Sequence, residues 1–225
     1  MKGWVIPPEQ NADFVANMER VLDVYKKPHD EMNPVVCMDE SPKQLISNIK
    51  SVVPMKKGQE QRVDYEYIRH GVVNIFMANE PLTDRRLVEV TQRKTKDDWA
   101  RFVKRIADEL YPDANKITLV MDNFNTHTAS AFYETFPAAE AKRIWDRFEF
   151  VYTPKHGSWL NMAEIELHSL NRQCLNRHMS SANMVVKEVE AWQKDRNNKS
   201  RKINWQFTNA DARIKLKKLY PSIHN

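Results

Sequence analysis

A strand that runs directly into a helix, within residues 148–176, constrains the fold of this chain more than any other stretch. The run FEFVY at 148–152 is rich in aromatic residues and predicts a strand, which turn chemistry from Pro154 onward ends. Asn161 then predicts a helix N-cap, and Glu164 stands three residues later, where the acid of a capping box belongs. A glutamate at this position most often caps its own helix, so Glu164 is either a capping residue or a functional acid close to a strand end.

Two further acids follow short apolar segments that predict buried strands. The segment VVCM at 35–38 leads into Asp39, and ITLVM at 117–121 leads into Asp122. Taken singly, an aspartate after a strand is most often a turn former. Together with Glu164 the two aspartates form a pattern typical of an α/β sheet that gathers functional groups at one edge. We therefore predict that both aspartates end adjacent parallel strands and that all three carboxylates share one metal cluster.

The rest of the chain predicts helices and further strands around these segments. The predicted elements are a helix at 9–26, a loop comprising Pro42 and residues 50–58, a hairpin of strands 62–69 and 71–78 that turns at Gly71, a helix at 97–110, a mostly helical connection at 129–148 that restarts at Pro137, a helix at 184–195, and a last helix capped by Thr208 and Asp211. Parallel strands need a crossover such as the connection at 129–148. The order of elements predicts a single α/β domain.

Composition limits the classes of partner and compartment. The 225 residues carry 35 Lys and Arg against 30 Asp and Glu, a net charge of +5 that permits a polyanionic partner without requiring one. The densest cations lie in the tail, where they form either a solvated helix face or a set of phosphate contacts; they are Arg196, Lys199, Arg201, Lys202, Arg213, Lys215, Lys217 and Lys218. The two cysteines lack the spacing of a disulfide or zinc motif, and the sequence has neither an apolar run long enough to span a membrane nor the core of a signal peptide. These features predict a cytoplasmic protein.

Three carboxylates with open coordination suit Mg²⁺, which prefers oxygen ligands and keeps positions for water and substrate phosphate. His127 and His156 lack zinc-site spacing, so each is interpreted as a structural or a substrate-contacting residue. The chain contains no GxxxxGK[ST] or GxGxxG string, and we expect no nucleotide cofactor.

Four segments, VVCMDESPKQLI, ITLVMDNFNTH, YTPKHGSWLNMAEIELHSLNRQCL and INWQFTNADARIKLKKLYP, resemble the catalytic domain of DDE transposases of the mariner superfamily, in its bacterial insertion-sequence branch. The resemblance spans nearly the whole chain. It implies a ribonuclease-H-like fold, a five-stranded mixed sheet flanked by helices with a helical, basic C-terminal tail. It also implies that Asp39, Asp122 and Glu164 are a catalytic triad that binds two Mg²⁺ or Mn²⁺ ions.

The same resemblance implies double-stranded DNA as partner, both element ends and target, with a homodimer on the DNA and an association with the nucleoid. Candidate DNA contacts are His127, Lys155, His156, Arg213, Lys215, Lys217 and Lys218. The expected division is an N-terminal helix and linker at 1–30, the catalytic domain at 31–180 and its helical basic extension at 181–225.

Two departures from the family pattern leave alternatives open. The segment between Asp122 and Glu164 is longer than is usual in the family, so Glu166 is an alternative third acid, although helix geometry places it on another face. Family members usually carry a helix-turn-helix region before the catalytic domain, and we expect this chain to correspond to the catalytic half. The alternative function is a transposase remnant that only binds DNA or protein.

Overall fold

The computed structural model describes residues 9–49, 55–60, 66–122, 127–199 and 202–222. Its centre is a five-stranded sheet in the order β3-β2-β1-β4-β5. The strands are β1 (Val35–Asn48), β2 (Tyr67–Asn79), β3 (Arg86–Thr91), β4 (Ile117–Met121) and β5 (Phe148–Tyr152). The β1–β2 and β2–β3 pairs are antiparallel, whereas the β1–β4 and β4–β5 pairs are parallel. The predicted five-stranded mixed sheet is thereby confirmed.

Seven α-helices within the described ranges flank this sheet. They are α1 (Ala12–Tyr25), α2 (Lys96–Arg105), α3 (Ala129–Thr135), α4 (Ala138–Asp146), α5 (Ala163–Leu170), α6 (Ala182–Asn198) and α7 (Asn209–Lys215). Reciprocal capping boxes start two of them, Thr95 with Asp98 before α2 and Thr208 with Asp211 before α7. None of the helices in these ranges is both long and apolar enough to span a lipid bilayer.

Side chains of β1 alternate between two hydrophobic layers, as the two-residue period of a strand requires. Val36 and Met38 face a layer built around Trp99 of α2 and the residues of α3 and α4. Cys37 faces the opposite layer, where α1 contributes Met18 and α5 contributes its first residue. The alternation therefore assigns Asp39 to the layer of α1 and α5.

The predicted hairpin at Gly71 is wrong. In the structure β2 runs without a break from Tyr67 to Asn79, and Gly71 sits inside it with a φ of +99°, a conformation that only glycine adopts without strain. The part of the predicted first strand at 62–65 lies outside the described residues. The third strand of the sheet is instead β3, which pairs with β2 from Asn74 to Asn79.

The first strand is also longer than predicted, because β1 continues through Pro42 to Asn48. Beyond Cys37, β1 pairs with β2 alone among the described strands. A proline is tolerated there because a strand with one paired side behaves as an edge strand. The predicted loop at 50–58 is described only from residue 55, where Lys56 bridges Gln59.

Candidate metal centre

The candidate acids Asp39 and Asp122 extend from neighbouring strands that run in parallel. Cys37 of β1 pairs with Val120 of β4, and each aspartate lies two residues beyond that pair. Both aspartates therefore stand side by side at one edge of the sheet. Adjacent parallel strands were predicted and are confirmed, but Asp39 does not end its strand: β4 stops at Met121, while antiparallel pairing with β2 carries β1 onward.

Glu164 lies in the first turn of α5, which packs on the sheet next to β1 and β2. Its side chain is exposed. The capping box predicted for Asn161 and Glu164 is wrong, because α5 starts at Ala163 and a short 3₁₀ turn occupies the preceding residues. Glu164 is thus not committed to capping its own helix.

Asn161 instead ties the start of α5 to the central strand. Its buried side chain accepts a hydrogen bond from the amide of Ala163 (3.1 Å) and donates one to the carbonyl of Met38 (2.7 Å). Met38 immediately precedes Asp39. The amide of Asn161 therefore links the helix that carries Glu164 to the backbone beside Asp39.

The electrostatics of Asp39 show that these acids influence one another. Burial raises the pKa of Asp39 to about 7, and a hydrogen bond from the Glu40 amide (2.8 Å) offsets part of this effect. The negative charges of Asp122, Glu40 and Glu164 raise the pKa further. A divalent cation would relieve this repulsion, and carboxylate oxygens are the ligands that Mg²⁺ and Mn²⁺ accept. Asp39, Asp122 and Glu164 therefore have the ligand chemistry of a metal site, but the group of ligand atoms that lie within 4.8 Å of one another among the described residues is that of Glu40, Asp122 and His127.

Glu166, the alternative third acid, is engaged elsewhere. Its carboxylate is 1% exposed and binds two arginines, Arg86 (Nε to Oε2, 2.8 Å) and Arg196 (Nη2 to Oε1, 2.9 Å). Burial raises the pKa of Glu166, but the hydrogen bonds from both guanidinium groups outweigh it and hold the pKa below its usual value. Glu166 joins α5 to β3 and α6 as a buried ion pair, which rules it out as the third ligand.

His127, predicted as a structural or a substrate-contacting residue, is buried. Its side chain is 2% exposed, with Nδ1 3.1 Å from Oδ1 of Asp122 and Nε2 3.3 Å from Oε1 of Glu40. These contacts correct the proposed DNA contact, because a buried ring offers no surface to DNA. Sequence reasoning missed Glu40, whose only signal was its position beside Asp39.

The cluster of Glu40, Asp122 and His127 also has the composition of a metal site, since ligand atoms of all three lie within 4.8 Å of one another. Burial lowers the pKa of His127, but both carboxylates raise it more, to about 9. At neutral pH the ring is then an imidazolium, which has two donors and no lone pair for a metal. The cluster is an ion-pair network that joins Glu40 to Asp122 through His127.

Lys155 and His156 lie on the turn between β5 and α5, near the edge that carries the acids. Both are exposed, and His156 has a φ of +66°. The turn is tightly built: a Cβ at Gly157 would lie 2.5 Å from Cγ of Pro154. This turn therefore presents one lysine and one histidine to solvent at the end of β5.

The basic tail packs on α1 with its charges outward. Arg213 pairs with Glu19 of α1 (2.8 Å) and Lys215 with Asp211 (3.3 Å). The four predicted tail contacts, Arg213, Lys215, Lys217 and Lys218, are all exposed. Two of the four thus have intramolecular partners, and the choice between solvated face and phosphate contact stays open.

The sheet order and the placement of the acids define a ribonuclease-H-like fold. The chain is similar to the crystal structure of the Mos1 strand transfer complex, with a TM-score of 0.56 and 14% identity over 86% of this chain and 58% of that chain. It is also similar to the Mos1 mariner paired end complex with Mn (TM-score 0.56, 14% identity, 87% and 59% covered) and to the one with Mg (TM-score 0.54, 17% identity, 88% and 60% covered). The chain spans about three fifths of those chains.

The model of one sequence family, described as DDE superfamily endonuclease, matches residues 34–185. The chain belongs to this family. No curated protein matches it in sequence.

Proposed function

We propose that this chain is the catalytic domain of a transposase, which cuts DNA strands at the ends of a mobile element and joins them to target DNA. The observation that carries the proposal is the side-by-side position of Asp39 and Asp122 at the edge where two parallel strands meet, with Glu164 in the first turn of a helix that packs beside β1. Membership of the DDE endonuclease family and similarity to Mos1 complexes with DNA ends support it.

Asp39, Asp122 and Glu164 would hold two Mg²⁺ or Mn²⁺ ions, which when bound supply activation of an attacking water or 3′-hydroxyl and stabilisation of the leaving oxygen. The two aspartates extend from neighbouring strands of the sheet. Asn161, through its hydrogen bond to Met38, links the helix that carries Glu164 to β1. Asp39 must lose its proton to become a ligand, so metal binding below about pH 7 should release a proton.

The partner in this proposal is double-stranded DNA. Lys155 and His156 are exposed on the turn after β5 and would meet phosphates beside the acids, and Lys217 and Lys218 would provide further exposed charge on the tail. A homodimer would bring two such sites to two element ends and to one target.

The test is nicking and strand transfer on DNA that carries the element ends, with a recognition module added if the chain binds weakly alone. Asp39→Asn, Asp122→Asn and Glu164→Gln should each lose several orders of magnitude in Mg²⁺, since hard-cation ligands are removed while shape is kept. Glu134→Gln, which neutralises an exposed acid of α3, is the matched control and should keep full activity.

If Asp39→Asn or Asp122→Asn cuts DNA as fast as the wild type does, the triad is refuted. Replacing Mg²⁺ by Ca²⁺ in the same reactions should permit DNA binding without cutting. A wild-type protein that binds DNA but cuts nothing in Mg²⁺ or Mn²⁺ would favour the alternative, a remnant that acts only as a DNA- or protein-binding module.

A further inference from the structure

We propose that His127, held by Glu40, is a positioning residue that orients the carboxylate of Asp122 for metal binding. The inference rests on the proposed function of Asp122 as a metal ligand. The proposal gives a role to the side chains of His127 and Glu40, which lie on the opposite side of the sheet from Asp39.

The imidazole of His127 bridges the ends of two strands. Its Nδ1 lies 3.1 Å from Oδ1 of Asp122, at the end of β4, and 3.3 Å from the carbonyl oxygen of the same residue. Its Nε2 lies 3.3 Å from Oε1 of Glu40 in β1. A ring with a carboxylate at each nitrogen sets the rotation of both carboxylates.

The ring is itself held by the core. It stacks on the indole of Trp99, with 5.2 Å between ring centroids and 22° between planes, and Trp99 is 1% exposed. The hydroxyl of Tyr152 donates to the backbone carbonyl of His127 (3.0 Å). This packing restricts the plane of the imidazole, so the two ring nitrogens are directed at Asp122 and Glu40 in the metal-free protein.

Glu40 completes the arrangement from the other side. Its side chain is 3% exposed and also pairs with Lys94 of the β3–α2 connection (3.2 Å). Because strand residues alternate, β1 sends Asp39 to the metal face and Glu40 to the supporting face. Asp39 is thus a candidate ligand. The next residue of the same strand, Glu40, holds His127, which in turn orients Asp122.

Orienting groups of this type matter because a carboxylate that rotates freely must be ordered when it binds a cation. Removing such a partner typically costs about 10- to 100-fold in metal affinity. The asparagine amide nitrogen can occupy the place of Nδ1, so His127→Asn should retain much of the effect, whereas His127→Leu keeps the bulk and removes the donor.

The experiment measures Mn²⁺ affinity by calorimetry on the full chain without DNA, with thermal unfolding in EDTA as a folding check. We expect a loss of roughly 10- to 100-fold for His127→Leu and a clearly smaller loss for His127→Asn. His178→Leu, which removes an exposed histidine from a distant loop, should bind like wild type. Unchanged affinity in a folded His127→Leu protein would overturn the proposal, as would equal losses in both His127 variants, which would make the ring a ligand.

A second measurement decides the matter if His127→Leu does not fold. Glu40→Gln should weaken Mn²⁺ binding in the wild-type background and have little further effect in His127→Asn, because both changes act through one ring. Purely additive losses would mean that Glu40 acts only through its charge, and would overturn the proposal. Asp122→Asn is included because normal Mn²⁺ binding by that variant would refute the metal site itself and not the positioning role alone.

Discussion

Replacing Asp39 by asparagine should make the metal-free protein more stable, by an amount that grows with pH. The folded-state pKa of Asp39 is about 7, well above its ordinary value of 3.8. Between these two values the folded protein holds a proton that the unfolded chain has released. Stability therefore falls as pH rises from about 4 to about 7, and then levels off. The asparagine side chain does not titrate, so the variant does not lose this stability as the pH rises.

The magnitude follows from the two pKa values of Asp39. A difference of about three pH units corresponds to about 4 kcal/mol of unfolding free energy, which is the upper limit of the gain above pH 7. Asp39 is partly exposed, and screening by solvent reduces the penalty, so we expect a gain of about 1 to 4 kcal/mol at pH 8. At pH 4 the variant and the wild type should be nearly equal.

The assay is urea unfolding in EDTA at several pH values, followed by circular dichroism. Asp113→Asn, which neutralises an exposed aspartate in the turn before β4, is the control and should show no such pH-dependent gain. Added Mg²⁺ should stabilise the wild type and not Asp39→Asn. An Asp39→Asn protein that is equally or less stable than the wild type at pH 8 would refute the crowding of carboxylates at this site.

Three further outcomes are expected. Alanine at both Lys217 and Lys218 should reduce the slope of log DNA affinity against log salt by about one unit per lost phosphate contact; an unchanged slope would mean that these charges only solvate the tail. Glu166→Gln should cost about 3 to 5 kcal/mol in urea unfolding, because Arg86 is 1% exposed and loses its charge partner; a loss below about 1 kcal/mol would contradict a buried ion pair. Asn161→Ala should cost about 1 to 3 kcal/mol and also weaken Mn²⁺ binding, since it frees the start of the helix that carries Glu164; normal Mn²⁺ affinity would show that the link to the central strand is only structural.

Elements whose signals are local were predictable from the sequence. The helix after Thr95 has a capping box and one apolar face, the crossover breaks near Pro137, and strands β4 and β5 are continuous apolar or aromatic runs. At each of these places the residue propensities and the hydrophobic pattern predict the same secondary structure, and tertiary contacts favour it too.

Elements that depend on distant partners were not predictable. Gly71 carries a local turn signal, yet pairing with β1 keeps it inside a strand. Strand β3 at Arg86–Thr91 is short and mixed in polarity, and its membership of the sheet is decided by β2. The cap at Asn161 shifted because its side chain found a partner in the backbone of Met38, far away in the chain.

For the candidate site, helical periodicity correctly separated the two glutamates of α5, because residues two positions apart face different directions. Glu164 is exposed and Glu166 is buried, as the geometry requires. The support of Asp122 could not be predicted, since nothing in the sequence relates His127 to Glu40. That relation exists only once β1 and β4 lie side by side.

The strand order has a consequence for the growing chain. Asp39 leaves the ribosome early with β1, Asp122 follows with β4, and Glu164 emerges after β5, so a partly synthesised chain lacks a complete set of acids. Pairing of Cys37 with Val120 closes a long loop, which is slow compared with local contacts. We therefore expect the three acids to come together only when the fold is finished. Pulse-labelled hydrogen exchange in which the amide of Val120 is protected before those of β2 would contradict this order of assembly.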